Sequence, residues 1–219
     1  DESNANFLPP DTRYPVATDR GPSSFDSRHT FSGSTTWELP APKSNAFAHA
    51  LLGGFALDSI VRLRTATPVL VVTGRDALGL GITSVSRPDY VSGQPLYLYG
   101  DGYPGGRIFN PRAFDSATPQ AQGRQGTLGR NVLRGFDLAQ LDLSARRRFT
   151  LSERFSLDLR ADAFNLLNTA NFGNPTGVMT SGNFGRSVAI LSSGVTGGQN
   201  PQFQIGGPRS VQLALRLHF

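Results

Sequence analysis

The last eleven residues, Arg209-Ser-Val-Gln-Leu-Ala-Leu-Arg-Leu-His-Phe219, constrain the fold more than any other stretch. Val211, Leu213, Leu215, Leu217 and Phe219 alternate with Gln212, Ala214, Arg216 and His218. A period of two sends the two sets to opposite faces of a strand. One face is then wholly apolar and the other carries charge. An uncovered soluble edge strand of this kind invites aggregation. A membrane-spanning barrel strand needs this pattern over about 9–11 residues, with lipid on one side and a polar lumen on the other. Taken alone, the segment fits the closing strand of a soluble sandwich equally well.

The same alternation recurs upstream. Phe31, Gly33, Thr35, Trp37 and Leu39 alternate with Thr30, Ser32, Ser34, Thr36 and Glu38 before Pro40 stops the run. Phe55, Leu57, Ser59, Val61, Leu63 and Thr65 alternate with Ala56, Asp58, Ile60, Arg62 and Arg64. Leu141, Leu143, Ala145 and Phe149 face away from Gln140, Asp142, Ser144, Arg146 and Arg148, with Arg147 on the apolar side, where it can snorkel to headgroups. After a tight turn at Thr150–Glu153, Phe155, Leu157, Leu159, Ala161 and Ala163 alternate with Ser156, Asp158, Arg160, Asp162 and Phe164. Strands are therefore expected at about 30–39, 55–65, 138–149, 154–164 and 209–219, in an all-β, antiparallel arrangement.

The connections separate the alternatives. Residues 41–54 form a connector with room for one helical turn, and the turn at 150–153 is short. Residues 66–136, rich in Gly, Pro, Asp and Arg, and 165–208, rich in Gly, Asn and Pro, are long and expected to be mostly irregular, apart from a strand-like stretch at Val69–Thr73. Seventy irregular residues inside a compact soluble domain argue against such a domain. Outer-membrane barrels alternate short periplasmic turns with long external loops in this order. The expected fold is the C-terminal segment of a larger transmembrane β-barrel: an external loop at 1–29, then barrel strands and two long external loops at 30–219. Five strands cannot close a barrel, so two open sheet edges are expected.

Composition narrows the chemistry. There is no cysteine, which removes disulfides, thiolate metal sites and cysteine nucleophiles. No apolar run is long enough for a transmembrane helix; the longest, near Ala50–Leu57, is broken by Gly53-Gly54. The chain opens at Asp1-Glu-Ser-Asn without a basic, apolar leader, so any signal peptide is expected to be cleaved or to lie upstream. The net charge is +5, almost entirely from arginine, with Lys43 the one lysine. Genomic bias explains that skew first, and anion binding second. Gly123-Arg-Gln-Gly-Thr-Leu-Gly-Arg-Asn-Val-Leu-Arg134 is basic, but its aromatic neighbours do not interleave with arginine on one platform, so nucleic acid is not expected as a partner.

Nucleophile-elbow, zinc-protease and phosphate-loop signatures are absent, and no enzyme is expected. His29, His49 and His218 are far apart in sequence, and Asp76, Asp101 and Asp115 read as turn formers rather than calcium ligands. Neither a metal nor an organic cofactor is expected. The candidate site is the row of inward-facing charges: Asp58, Arg62, Arg64, Asp142, Arg146, Arg148, Asp158, Arg160 and Asp162. Both signs alternate, which favours a cross-strand ladder that stiffens the wall and docks a plug; contact with an anionic substrate is the second reading.

Gly129-Arg-Asn-Val-Leu-Arg-Gly135, Arg160-Ala-Asp-Ala-Phe-Asn-Leu-Leu-Asn168 and Asn171-Phe-Gly-Asn-Pro175, with the closing Gln212–Phe219, carry a resemblance. The chain from Asp19 onward resembles the C-terminal barrel portion of TonB-dependent receptors, in particular the Oar-like group with a carboxypeptidase-regulatory-like domain. The resemblance implies a bacterial outer-membrane location, outer-membrane lipid as surroundings, and energised uptake of an unspecified ligand. It also implies that Leu213, Leu215, Leu217 and Phe219 form a signal for the barrel-assembly machinery. A plug and TonB are implied as partners, yet no plug or TonB box can be picked out of these residues. The expectation is therefore a C-terminal part of a larger receptor. The alternative is a surface-exposed outer-membrane binding or adhesion β-protein without transport activity.

Overall fold

The computed structural model describes residues 20–40, 53–83, 86–194 and 205–219. They fall into two compact units, one built on a sheet and one on the long connections.

In the sheet unit, β1 (Thr30–Glu38), β2 (Phe55–Arg64), β3 (Leu138–Thr150), β4 (Ser156–Phe164) and β5 (Ser210–His218) pair in chain order. Every pairing is antiparallel. The fold class is all-β and antiparallel. Among the described residues β1 and β5 each have a single strand neighbour, so the sheet is open. The turn between β3 and β4 is closed by the Leu151 and Ser152 amides, which both donate to the Phe155 carbonyl. Both long connections leave from the same end of the sheet, where Thr30 pairs Arg64, Arg64 pairs Leu138, and Phe164 pairs Ser210. The connector at 41–52, including the suggested helical turn, lies outside the described residues.

Register decides which side chains share a face, because directly paired residues point the same way. Leu213 pairs Ala161, Ala161 pairs Ala145, Ala145 pairs Leu57 and Leu57 pairs Trp37. All belong to the apolar face. Burial is inverted relative to a protein folded in water. Leu213 is 74% exposed and Trp37 58%, while Gln140 (4%) and Asp142 (8%), on the opposite face, are buried. A contiguous apolar patch of this kind is out of place in water and is the requirement in lipid. Phe31 and Trp37 stand near opposite ends of β1 on this face, about 20 Å apart along an extended strand. That suits a band of about 25 Å flanked by aromatic girdles. Arg147 is the cation on the apolar face; its guanidinium lies over the Phe55 ring at 5.0 Å and the Phe149 ring at 4.3 Å. The aromatic faces partly replace water around the charge.

The second unit differs from the irregular loops expected. Described residues from 20–29, 65–137 and 172–194 make up this unit, and those of 65–137 and 172–194 share one hydrophobic core. Val71, Phe109, Ala113, Phe114, Leu128 and Leu133 are buried there, with Phe109 and Leu133 fully enclosed. Phe114 and Phe184 meet edge to face at 5.6 Å, as do Tyr97 and Phe109. Pro68–Val69 pairs with Leu133–Arg134, Asp89–Tyr90 with Phe114–Asp115, and Tyr97–Tyr99 with Arg107–Phe109. The helix α1 (Ala117–Gln122) ends on Gly123 in the left-handed conformation. Close packing fixes Gly185, at φ +75°: a Cβ there would stand 2.8 Å from the Phe109 carbonyl oxygen. Arg134 holds the 20–29 segment, binding the Asp26 carboxylate and donating to the Asp26 and Ala66 carbonyls.

Candidate functional site

All the candidate inward charges fall on the face opposite the apolar one. The register runs Thr36–Asp58–Ser144–Asp162–Gln212 in one row and Arg148–Asp158–Arg216 in another. Arg148 donates from Nε and Nη2 to the two Asp158 oxygens at 2.6 and 2.8 Å, a bidentate fork across directly opposed strands. His218 reaches the same carboxylate at 2.9 Å. Arg146 Nε donates to Asp58 at 3.0 Å, which also accepts the Thr36 hydroxyl at 2.7 Å. Arg160 donates to Asp162 at 2.8 Å along its own strand. Arg62 Nη1 binds Asp142 at 2.5 Å, diagonally, because Gln140 occupies the position opposite it. Arg64, at the end of β2, has its Nε buried without a hydrogen-bond partner among the described residues.

A second feature was not read from the sequence. Where β4 ends, Asn165 adopts φ +48° and Asn168 φ +53°, conformations that asparagine tolerates better than most residues. The Asn165 amide donates to Asp142 at 2.9 Å, and its side-chain nitrogen donates to the Thr169 and Gly207 carbonyls. Gln140 donates to Asp142 at 2.8 Å and accepts from the Gly206 amide at 2.7 Å. Asn171 accepts the Ala139 amide at 3.0 Å. Asp142 therefore gathers three donors, which offsets the cost of burying its charge. The signal in the sequence was a run of asparagines directly after a strand; its meaning required the register.

Leu213, Leu215 and Leu217 line the apolar face of β5, and Phe219 lies just beyond it, 94% exposed. In the connection unit, Asp89 forms a fork with Arg124 at 2.8 and 2.6 Å and accepts the Thr127 amide at 2.9 Å. The Arg124 bond is the main reason its carboxyl titrates below the usual range, against a smaller opposing effect of burial. Asp76 accepts the Leu80 and Gly81 amides, and Asp115 the Thr118 hydroxyl and Ala117 amide; both carboxyls are lowered by these local bonds. Among the described residues no group of three or more His, Cys, Asp or Glu side chains is placed to hold a metal. His49 lies outside them.

An antiparallel sheet with a lipid-facing apolar side and a hydrogen-bonded, charged reverse side defines the wall of an outer-membrane β-barrel protein. The chain belongs to the outer membrane beta barrel domain family, whose sequence model matches residues 1–212. Its location is the bacterial outer membrane. No curated protein and no solved structure matches the chain.

Proposed function

We propose that this chain is wall and external-loop material of a TonB-dependent receptor, which takes up a ligand across the outer membrane. The observation that carries the reading is the inner face: a dense, mixed-sign ladder rather than a sparse polar lining. Such a wall suits a folded plug docked in the lumen, each of whose polar groups needs a partner. The two edges of the sheet, open among the described residues, call for further strands, which a large plugged barrel supplies. The resemblance centred on Arg160–Asn168 and Asn171–Pro175 points the same way. In this proposal the partners are outer-membrane lipid, the barrel-assembly machinery reading Leu213, Leu215, Leu217 and Phe219, a plug, and TonB. Neither catalysis nor nucleic-acid binding is part of it.

The folded connection unit supports the alternative, a surface binding or adhesion protein. A core such as that around Phe109 is more than a passive loop needs, and Phe25 and Tyr99 are exposed on that unit. Intact mass of the native polypeptide in purified outer membranes, with peptides mapped upstream of Asp1, separates the two. A species far above 23.5 kDa carrying a plug supports the receptor. A mature protein beginning at Asp1 overturns it in favour of the surface protein.

A further inference from the structure

At the short-turn end of the charged face, the register places Arg146 directly opposite Arg160. Like charges in that position destabilise a strand pair. Each guanidinium is only partly engaged, since the contacts to Asp58 and Asp162 are made through Nε. The positions flanking this pair in the same row are Ala56 and Ala214, whose small side chains leave the row open. The result is a hollow of about 560 Å³. In the adjoining row Asp158 is already held by both donors of Arg148 and by His218. Arg216, across from it, has no ion-pair partner among the described residues, and it also lines the hollow. Arg146, Arg147, Arg148, Arg160 and Arg216 line it with Glu38 and Asp158. Asp58 and Asp162 hold Arg146 and Arg160 through Nε, so the Nη groups of these two and the Arg216 guanidinium are what the hollow offers a ligand.

We infer that this hollow is a binding site for a small solute bearing a phosphate or a comparable dianionic oxyanion, held by Arg146, Arg160 and Arg216. Guanidinium forks match oxyanion geometry, and an anion between Arg146 and Arg160 would use the Nη groups that Asp58 and Asp162 leave open. A cleft with low-dielectric walls strengthens the attraction. The site rests on the barrel wall alone and stands whether or not the polypeptide transports.

The test is calorimetric titration of inorganic phosphate into the intact polypeptide in a phosphate-free maltoside detergent at low ionic strength. Saturable binding is expected, weakened at least tenfold by Arg160→Gln and by Arg216→Gln. Arg112→Gln, an exposed arginine of the connection unit, removes the same charge away from the hollow and should change it less than threefold. Arg216→Gln breaks no ion pair among the described residues, so it reports on the site even if Arg160→Gln fails to fold. Absence of saturable binding, or equal loss in Arg112→Gln and Arg216→Gln, overturns the inference. Tighter, Arg216-dependent capture of phosphatidylglycerol from mixed micelles would make a lipid headgroup the occupant and overturn the soluble ligand.

Discussion

Leu213→Arg separates a lipid-facing strand from a water-facing one in a single measurement. Leu213 lies near the middle of β5 on the apolar face, paired with Ala161, and is 74% exposed. In water, a long polar side chain at so open a position changes stability by no more than about 0.5 kcal/mol. At the bilayer midplane an arginine on the lipid face costs about 2–4 kcal/mol. At about 1.4 kcal/mol per decade, that is roughly a thirty-fold to nearly thousand-fold shift in the folding equilibrium. The neighbouring Gln212 points to the charged face, pairing with Asp162, so Gln212→Arg controls for adding the same charge one residue away. The assay is refolding of the intact polypeptide into phosphatidylcholine vesicles across a urea series, read as the protease-protected fraction. The midpoint should fall clearly for Leu213→Arg and stay within about 0.5 kcal/mol of the parent for Gln212→Arg. Equal, small shifts in both would refute the lipid-facing assignment of β5, and with it the argument from inverted burial.

Asp142→Ala should destabilise the sheet by about 2–3 kcal/mol in the same urea series, since it leaves Arg62, Gln140 and the Asn165 amide without their acceptor; a shift below about 0.5 kcal/mol would show that water replaces the carboxylate. Phe109→Ala empties the centre of the connection core at a cost of about 3–5 kcal/mol, and hydrogen exchange of the 107–114 amides should accelerate accordingly. Asp89 titrates below its ordinary value near 3.8, so the stability from its fork with Arg124 is present above that pH and is lost as pH falls through the depressed value. Proteolysis of the connection unit should therefore rise below about pH 4, and Asp89→Asn should flatten that acid response.

The long strands were legible because their two faces meet different solvents, and a period of two records that difference residue by residue. Even the exception makes sense locally: Arg147 breaks the apolar side of β3 at the point where Phe55 and Phe149 flank it. The connection core was not legible. Val71, Phe109, Leu128 and Leu133 lie in short apolar pieces scattered through the 66–136 connection, with no period to link them, and only long-range contacts bring them together. The charged face could be read as a face, but its pairings could not. Arg62 bonds diagonally to Asp142 because Gln140 sits across from it, and Arg146 opposes Arg160 only through the register of β3 with β4. Such facts depend on relative strand offset, which alternation leaves undetermined.

The apolar face and the ion-pair ladder follow from one constraint. In hydrocarbon, backbone polar groups must be satisfied by neighbouring strands, at a cost of several kcal/mol for each one left over. Strand pairing satisfies those of β2, β3 and β4 on both sides. The side chains then divide by solvent, and charge gathers on the lumen face, Arg147 being set between the Phe55 and Phe149 rings on the other. There the carboxylates gather donors: Asp58 from Arg146 and Thr36, Asp142 from Arg62, Gln140 and Asn165, and Asp158 from Arg148 and His218. Shared donors of this kind offset the desolvation that makes an isolated buried pair unfavourable. The same rule bears on the outer strands. Among the described residues β1 and β5 each present a row of backbone donors and acceptors on the side away from their single neighbour, and lipid satisfies neither row. An apolar face as exposed as that of β5 is stable in the membrane only with another strand against that edge. Closure of the barrel is therefore part of what stabilises this sheet, and a change that blocks pairing at β5 should cost more than any single side-chain contact on its faces.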